Sequence, residues 1–504
     1  LSVKIILASI NAKWIHPSLA LRLLKANLGG LESCCRILEF ALRQNPDEII
    51  DSILDARPQI LGLSVSIWNH KATVELLKNL NEKWLSADPA GTARPFVILG
   101  GPEVSWLPPD SGIFTYADYV IRGEGEEAFR GLCERLLDSG AGDLPPENKL
   151  PRKTEFINAA PPDVSRLVSA YGLYTDEDLS RRLIYVESAR GCPYGCDFCL
   201  SAAEQIDGSA YSGKSKIREF PVENFLAEMG RLLDRIDSRT EHTHTFKFLD
   251  RSFNVNPGRA VRILEFFLER ILKSESRICV HFEMVPFNFP MELREIIKQF
   301  PPGSLRLELG IQTLNSTAAA NINRPGNTDT ALEILAFLRS QTSVVVHADL
   351  IAGLPGEDLE SFGRGFDRLW IAMTSGQQSG IPMEIQAGML KLLPGAPMKR
   401  HSVPYGMEYS AEPPYEVLQT LAVPAAQMDR IRNFARFWEL LVNRGHFANQ
   451  ITSLVPHGEP VFLRFMELSD RLLQIFGRSW GIDREEIRCA LEEYVPEQIK
   501  QIKS

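Results

Sequence analysis

The pattern that most limits how this chain can fold is an alternation, run twice, of short apolar stretches with longer amphipathic ones. Residues 3–7, 60–65, 96–101 and 119–121 are apolar runs of strand length. Between them Leu19, Leu21, Leu23, Leu24 and Leu28 fit one helix face over 18–28. A second helix is predicted over 71–85, and a third starts at Glu126. Such strands need cover on both faces, so they predict a doubly wound parallel sheet with its ligand at the strands' carboxyl ends. A second series starts near Leu183, with candidate strands over 183–187, 245–249, 277–283, 304–309, 343–350 and 383–391. Amphipathic segments such as 222–233 and 258–272 separate them. These six strands are too few for a closed eight-stranded barrel and suit a partial (β/α)6 barrel.

Periodicity lapses over 138–163, where Pro145, Pro146, Pro151, Pro161 and Pro162 fall, and this reads as an interdomain linker. Beyond Pro413 the pattern turns helical, for example over 423–444 and 460–476. The expected division of this α/β chain is a first domain over 1–137, a linker over 138–180, a partial barrel over 181–395 and a mostly helical region over 396–504.

Composition narrows the function. The 504 residues suit roughly three domains, and 44% apolar with 24% charged residues excludes wholesale disorder. A net charge of −9 argues against nonspecific holding of a nucleic-acid backbone, which needs a Lys/Arg excess. No apolar run reaches the roughly 18–20 residues that span a bilayer, and no signal-peptide core opens the sequence. Eight cysteines in a chain this long do not make a secreted disulfide scaffold, so a cytoplasmic protein with reduced thiols is expected.

Spacing singles out three of those thiols. Arg190-Gly191-Cys192-Pro193-Tyr194-Gly195-Cys196-Asp197-Phe198-Cys199 follows a predicted strand in a Gly/Pro-rich loop. Thiolates are the usual ligands of iron–sulfur clusters. Three close cysteines can hold three irons of a [4Fe–4S] cube and leave the fourth open to chelate a small molecule and pass it an electron. A zinc knuckle wants four ligands, and the nearest further candidates, His242 and His244, lie more than 40 residues away. Those two histidines read as solvent-facing polar residues, while Cys279 and Cys489 read as inert small hydrophobes.

The C-x-x-x-C-x-aromatic-C motif, after the first strand of a six-stranded β/α series, resembles the radical S-adenosylmethionine (SAM) superfamily. The resemblance implies that Cys192, Cys196 and Cys199 bind a [4Fe–4S] cluster and that SAM chelates the open iron. Reduction then cleaves SAM to a 5′-deoxyadenosyl radical. It places Phe198 near the adenine and Asp250, at the end of the second strand, by the amino group of SAM, although the family's Gly-Gly-Glu is absent. Glu308 and Gln312 fall in a segment similar to E-x-G-x-Q-S, Arg324 in a SAM-facing loop, and Gly353 and Pro355 in a D-L-I-x-G-L-P-G-E turn. Glycines there would let the backbone approach adenine closely.

The first domain resembles the Rossmann-like cobalamin-binding domain that precedes many radical SAM barrels. The matching positions are Asn11, Trp14, His16, Ser18, Ser64, Ser66, Gly100, Gly101, Glu103, Gly123, Glu124 and Gly125, all at predicted strand carboxyl ends. No G-x-G-x-x-G follows the first strand, which disfavours a dinucleotide. A methylthiotransferase would need a second cysteine triad, which Cys34, Cys35 and Cys133 match poorly. The D-x-H-x-x-G sequence that gives cobalt an axial histidine is missing, and neither His16 nor His70 stands in that context. Cobalamin bound without a protein histidine is therefore expected, with Trp14 and Trp68 read as ordinary packing.

The implied activity is methyl transfer to an unactivated carbon, with an external electron donor such as flavodoxin or ferredoxin and an unidentified substrate. The alternatives are a cyclase or rearrangement without net methyl transfer, and a non-catalytic corrinoid or iron–sulfur sensor. Glu384 and Gln386, alternating on the sixth strand, are candidate substrate contacts. Tyr405, Tyr409 and Tyr415 read as a packed connector.

Overall fold

A computed structural model describes residues 3–87, 94–138, 153–202, 217–236, 243–375 and 383–503. The first sheet comprises β1 (Ile5–Asn11), β2 (Cys35–Ala41), β3 (Ile60–Ser64), β4 (Phe96–Gly100), β5 (Tyr119–Arg122) and β6 (Glu155–Asn158), in the order β2-β1-β3-β4-β5-β6. All its pairings are parallel, so helices must carry the chain back each time. Those returns are α1 (Leu19–Ala26), α2 (Pro46–Ala56), α3 (His70–Ala87) and α4 (Glu126–Asp138), with a short 3-10 helix at Gly112–Tyr116 between β4 and β5. Ser18 caps α1 through the Leu21 N–H, and Asn45 caps α2, whose first residue is Pro46.

Two of these strands escaped the apolar pattern. β2 carries Arg36 and Glu39, and β6 is half-exposed. Each lies at a sheet edge and pairs on one side only, where burial asks for fewer apolar residues. The expected linker is corrected in part by β6, which lies within 138–180 and completes the first sheet. Tyr171, Tyr174 and α5 (Asp176–Arg181) follow it and pack against the second core. Pro145, Pro146 and Pro151 lie outside the described residues.

The second sheet begins with β7 (Ile184–Val186). A two-residue ladder of β8 (Ala189–Arg190) with β9 (Arg218–Glu219) follows, and then α6 (Val222–Asp234). The chain continues through β10 (His244–Phe248), α7 (Pro257–Lys273), β11 (Ile278–Met284), α8 (Met291–Ile297) and β12 (Leu305–Gln312). Next come α9 (Ser316–Asn321), α10 (Thr328–Gln341), β13 (Val345–Ala352), α11 (Leu359–Thr374) and β14 (Met383–Met389). Strand order β14-β13-β12-β11-β10-β7 with parallel pairing is the open six-stranded β/α arrangement. Burial alternates along β12 and β13: Leu305, Leu307 and Leu309 face the helices, while Arg306 and Glu308 face the concave side.

The C-terminal region opens with a small hairpin, β15 (Glu408–Tyr409) and β16 (Val417–Gln419). Helices α12 (Ala425–Trp438), α13 (Ala448–Ile451), α14 (Phe462–Phe476) and α15 (Arg484–Lys503) follow. Phe434, Trp438, Phe462 and Phe465 pack edge and face around Phe366 of α11, which fuses this region to the barrel core. His244 is buried with Nδ1 2.9 Å from the Leu179 carbonyl, so the solvent-facing reading is corrected for it, and His242 lies outside the described residues. Cys279 is half-buried and Cys489 exposed, so the latter is no buried hydrophobe. Among the described residues, no helix is long and apolar enough to cross a membrane.

Candidate functional site

The cysteine loop leaves β7 and is braced at once. Ser188 donates from N (2.8 Å) and Oγ (2.6 Å) to Asp250, two residues past the end of β10. Burial pushes the Asp250 carboxyl up to about 7, against the pull of those two donors. Asp250 therefore shapes the loop, and its described hydrogen bonds go to Ser188 rather than outward. Beyond it Gly191 turns with φ +90, and Cys192 Sγ stands 3.3 Å from Ser252 Oγ. Cys196 Sγ accepts from Arg324 Nη1 at 3.7 Å, and Cys199 Sγ accepts from the Ser201 N–H at 3.4 Å. The first two thiols are buried and the third is half-buried. Phe198 packs on the barrel core beside them.

This donor set fits an anionic cluster. Thiols on one loop meet a guanidinium, a hydroxyl and a backbone N–H, the groups that stabilise charge on sulfur. Among the described residues, no three His, Cys, Asp or Glu side chains converge on a single ion. A cube asks for something else, since its thiolates sit on three different irons.

Asp197, between two of the cysteines, is the loop's second anchor. Its N–H donates to the Ile322 carbonyl at 3.0 Å, and its carboxylate accepts from Asn323 Nδ2 (3.0 Å) and Arg400 (2.5 Å). His401 Nε2 lies 2.6 Å from the same carboxylate. Sequence reasoning missed His401 and Arg400, for no local pattern joins residues some 200 positions apart. Arg324 also donates to the Gly310 carbonyl, so it ties the strand holding Glu308 and Gln312 to the cysteine loop. Gln312 takes φ +71 at a register shift in β12, and a Cβ on Gly310 would fall 2.5 Å from its Nε2.

The concave face below is lined by paired charges. Lys247 Nζ lies 3.4 Å and His281 Nε2 3.1 Å from Glu308. Burial alone would raise Glu308, but His281, Lys247 and His347 outweigh it and hold it near about 2. His347 bridges Glu384 (Nδ1, 2.9 Å), Asp349 (Nε2, 3.0 Å) and Gln386 (Nε2, 3.1 Å). Burial opposes its charge, but Asp349 and Glu384 raise it to about 10. Glu384 and Gln386 thus belong to one network with Arg306, which reaches Glu384 at 2.5 Å.

The 348–357 turn is filled by the chain itself. A Cβ on Gly353 (φ +87) would meet Val417 Cγ1 at 2.7 Å, and the Pro355 carbonyl accepts from Asn321 Nδ2 at 2.8 Å. The space at Gly353 therefore admits the hairpin.

At the carboxyl edge of the first sheet many expected contacts are already spoken for. Asn11 Nδ2 and the Ser18 N–H both donate to Glu39, and His16 Nδ1 lies 2.8 Å from the Tyr185 hydroxyl. Asn69 ties together the Ser64 carbonyl and the Ser66 N–H. Gly101 (φ +109) lets Val65 come close, since a Cβ there would fall 2.5 Å from the Val65 carbonyl oxygen, and Gly100 adjoins it. Glu103 accepts from Tyr415 OH at 2.5 Å and faces His70 Nδ1 at 2.8 Å. Gly123 donates its N–H to Ser105, Gly125 packs beside Leu24, and Glu124 pairs with Arg190 and Arg218. Trp14 and Trp68 are 44% and 54% exposed at this edge, flat apolar surface that a macrocycle would cover, so the residues present fit one.

Three family models match the chain: B12 binding domain over residues 4–133, Radical SAM superfamily over 186–369, and Protein of unknown function (DUF4080) over 404–486. The 2-(S-pantetheinyl)-carbapenam-3-carboxylate methyltransferase of Streptantibioticus cattleyicolor is 26% identical over 387 residues, covering 70% of this chain and 51% of that protein. The cobalamin-dependent radical SAM methyltransferase TokK of Streptomyces tokunonensis is 26% identical over 373 residues, covering 70% of this chain and 49% of its own. The chain spans about half the length of these curated relatives. In fold it matches the cobalamin-dependent S-adenosylmethionine radical enzyme OxsB, solved with aqua-cobalamin and S-adenosylmethionine bound. The TM-score is 0.63 at 14% identity, over 99% of this chain and 80% of that one.

Proposed function

Because the chain belongs to the radical SAM superfamily and carries a B12-binding domain ahead of its barrel, we propose that it is a cobalamin-dependent methyltransferase acting on an unactivated carbon. One observation carries the reading: the carboxyl edge of the first sheet closes directly on the cysteine loop, with Glu124 and Glu126 holding Arg190 two residues before Cys192. The two cofactor sites then share one interface. The methyltransferase relatives support the same reaction class.

Bound cluster, SAM and cobalamin supply one-electron cleavage of SAM and a transferable methyl group. The chain's own residues supply position and charge. Cys192, Cys196 and Cys199 would hold the cluster, and Arg324 would offset negative charge at Cys196 while it fixes the β12 end that presents Gln312. Phe198, Asp250, Glu308 and Pro355 would complete the SAM side, Asp250 by shaping the loop through Ser188, and Gly353 would act there indirectly, by admitting the hairpin. The edge residues Asn11 to Ser18, Ser64 to Ser66, Gly100 to Glu103 and Gly123 to Gly125 would frame a corrinoid. His16 is engaged by the Tyr185 hydroxyl and His70 by Glu103, and the sequence lacks D-x-H-x-x-G, so neither histidine would serve as a ligand to a bound corrinoid. The charged network of Arg306, His347, Glu384 and Gln386 meets a substrate with polar groups, because burying an apolar one against paired charges is unfavourable. The protein works in the cytoplasm with a low-potential carrier such as flavodoxin or ferredoxin as electron donor.

The test is anaerobic reconstitution followed by metal analysis and product mass. About four irons and one cobalt per chain, SAM cleavage under reductant and a product heavier by one methyl are expected. Deoxyadenosine with an unmethylated, cyclised product would replace this reading with the cyclase, and full metal loading without SAM cleavage would replace it with the sensor.

A further inference from the structure

Arg190 is 11% exposed and surrounded by acids from both domains. Its Nη1 donates to Glu124 at 2.7 Å, and its Nη2 donates to Glu126 and Glu187, each at 2.7 Å. Glu124 comes from the first domain's β5–α4 turn and Glu126 from the first position of α4, while Glu187 directly follows β7, the strand that launches the cysteine loop. Arg218, Arg190's partner in the β8–β9 ladder, also pairs with Glu124 and donates to the Pro162 carbonyl at 3.1 Å. The second oxygen of Glu126, Oε2, is buried with no hydrogen-bond partner among the described residues, so Arg190 supplies the compensation that this acid has there. The turn is pinned from behind by the Gly123 N–H to Ser105 Oγ, 3.1 Å. It lies on the same sheet edge as Gly101, Glu103 and Trp68.

We infer that Arg190 is a positioning residue that couples occupancy of the first domain's corrinoid site to order in the cysteine loop. The inference rests on the cobalamin reading above and adds to it a defined link. A single residue, Gly191, separates Arg190 from Cys192, so whatever fixes the 123–126 turn fixes the entry to the loop. A corrinoid seated on that edge orders the turn, and the cluster then meets a loop that is already arranged. Linkage makes the effect reciprocal: a loaded cluster must tighten corrinoid binding by the same factor.

The experiment titrates hydroxocobalamin into cluster-loaded and cluster-free protein, following quenching of tryptophan fluorescence. Wild-type affinity should be at least about fivefold tighter with the cluster present. In Glu126→Gln, which keeps the side chain's shape, and in Arg190→Lys, that ratio should fall toward one. Circular dichroism checks folding, and the ratio within each variant is its own control. A wild-type ratio of one, or an unchanged ratio in Glu126→Gln, overturns the coupling while leaving the cobalamin reading intact. Absence of cobalamin binding in both states overturns the two together.

Discussion

Asp197 sits in the middle of the cysteine motif with its carboxylate buried, and three side chains from distant segments meet it. Removing His401 leaves a buried acceptor short of a partner, which costs about 1–3 kcal/mol. His401→Ala should therefore lower the thermal midpoint and release iron on desalting, whereas His401→Gln, still able to donate, should keep most of it. Equal iron retention in the two variants would remove Asp197–His401 from the account of the loop. Gly353 gives a second case. Its φ of +87 and the 2.7 Å approach of Val417 leave no room for a methyl group. Gly353→Ala should lose about 1–3 kcal/mol in denaturant unfolding, by overpacking against the hairpin. A neutral substitution would mean that the hairpin shifts aside freely. That glycine was legible in the sequence as special, but its neighbour was not: Val417 lies 64 positions downstream, and a lone residue carries no mark of a partner that far along the chain.

The inner strands of the first sheet were legible because they are buried on both faces, which forces continuous apolar runs, whereas the second sheet's strands showed on their helix-facing side. Edge strands β2 and β6 escape that demand, and they were the ones missed. The concave face of the second sheet was half legible. Alternation on the sixth strand put Glu384 and Gln386 on one side, and the motif resemblance singled out Glu308, but strand register alone brings Glu308, His347 and Glu384 into line across three strands. That line titrates. His347 is raised from its ordinary 6.5 to about 10, so its contribution to stability is fully present below about 6.5 and is lost as pH climbs through about 10. Glu308 is depressed to about 2, so its contribution is present above about 4.3 and is lost as pH falls toward 2. The denaturation midpoint of wild type should decline between about pH 6.5 and 10. His347→Gln should be less stable by about 1–3 kcal/mol at neutral pH and should flatten that decline. A variant with the wild-type slope would show that other groups govern the alkaline limb.

Whether the first domain and the barrel behave as one body depends on a buried network at their seam. Arg22 of α1 donates to Glu39 of β2 at 2.9 Å and to Asp178 of α5 at 2.8 Å. Arg182 donates to the same two acids at 2.8 and 3.0 Å, and also to the Trp14 carbonyl at 2.8 Å. The backbone joins in, since the Leu183 N–H donates to the Ile15 carbonyl at 3.0 Å. All four charged side chains are under 10% exposed, and each acid answers two guanidiniums. Taking one acid away leaves buried cations short of compensation, which costs about 3–5 kcal/mol. The loss falls on the contact between the domains, since Arg22 belongs to one side and Arg182 to the other. Calorimetry of wild type should show a single cooperative transition spanning both sheets. Asp178→Ala should lower its onset and resolve it into two. Asp178 also closes a capping box with Thr175 at the start of α5, so Thr175→Ala is the control. It removes the cap, for about 1 kcal/mol, and leaves the ion pairs in place. Splitting in Asp178→Ala but not in Thr175→Ala assigns the cooperativity to the charge network. Splitting in both would assign it to α5 itself, and splitting in neither would mean that the apolar packing of Leu19 and Leu23 of α1 against the second core holds the two domains together without it.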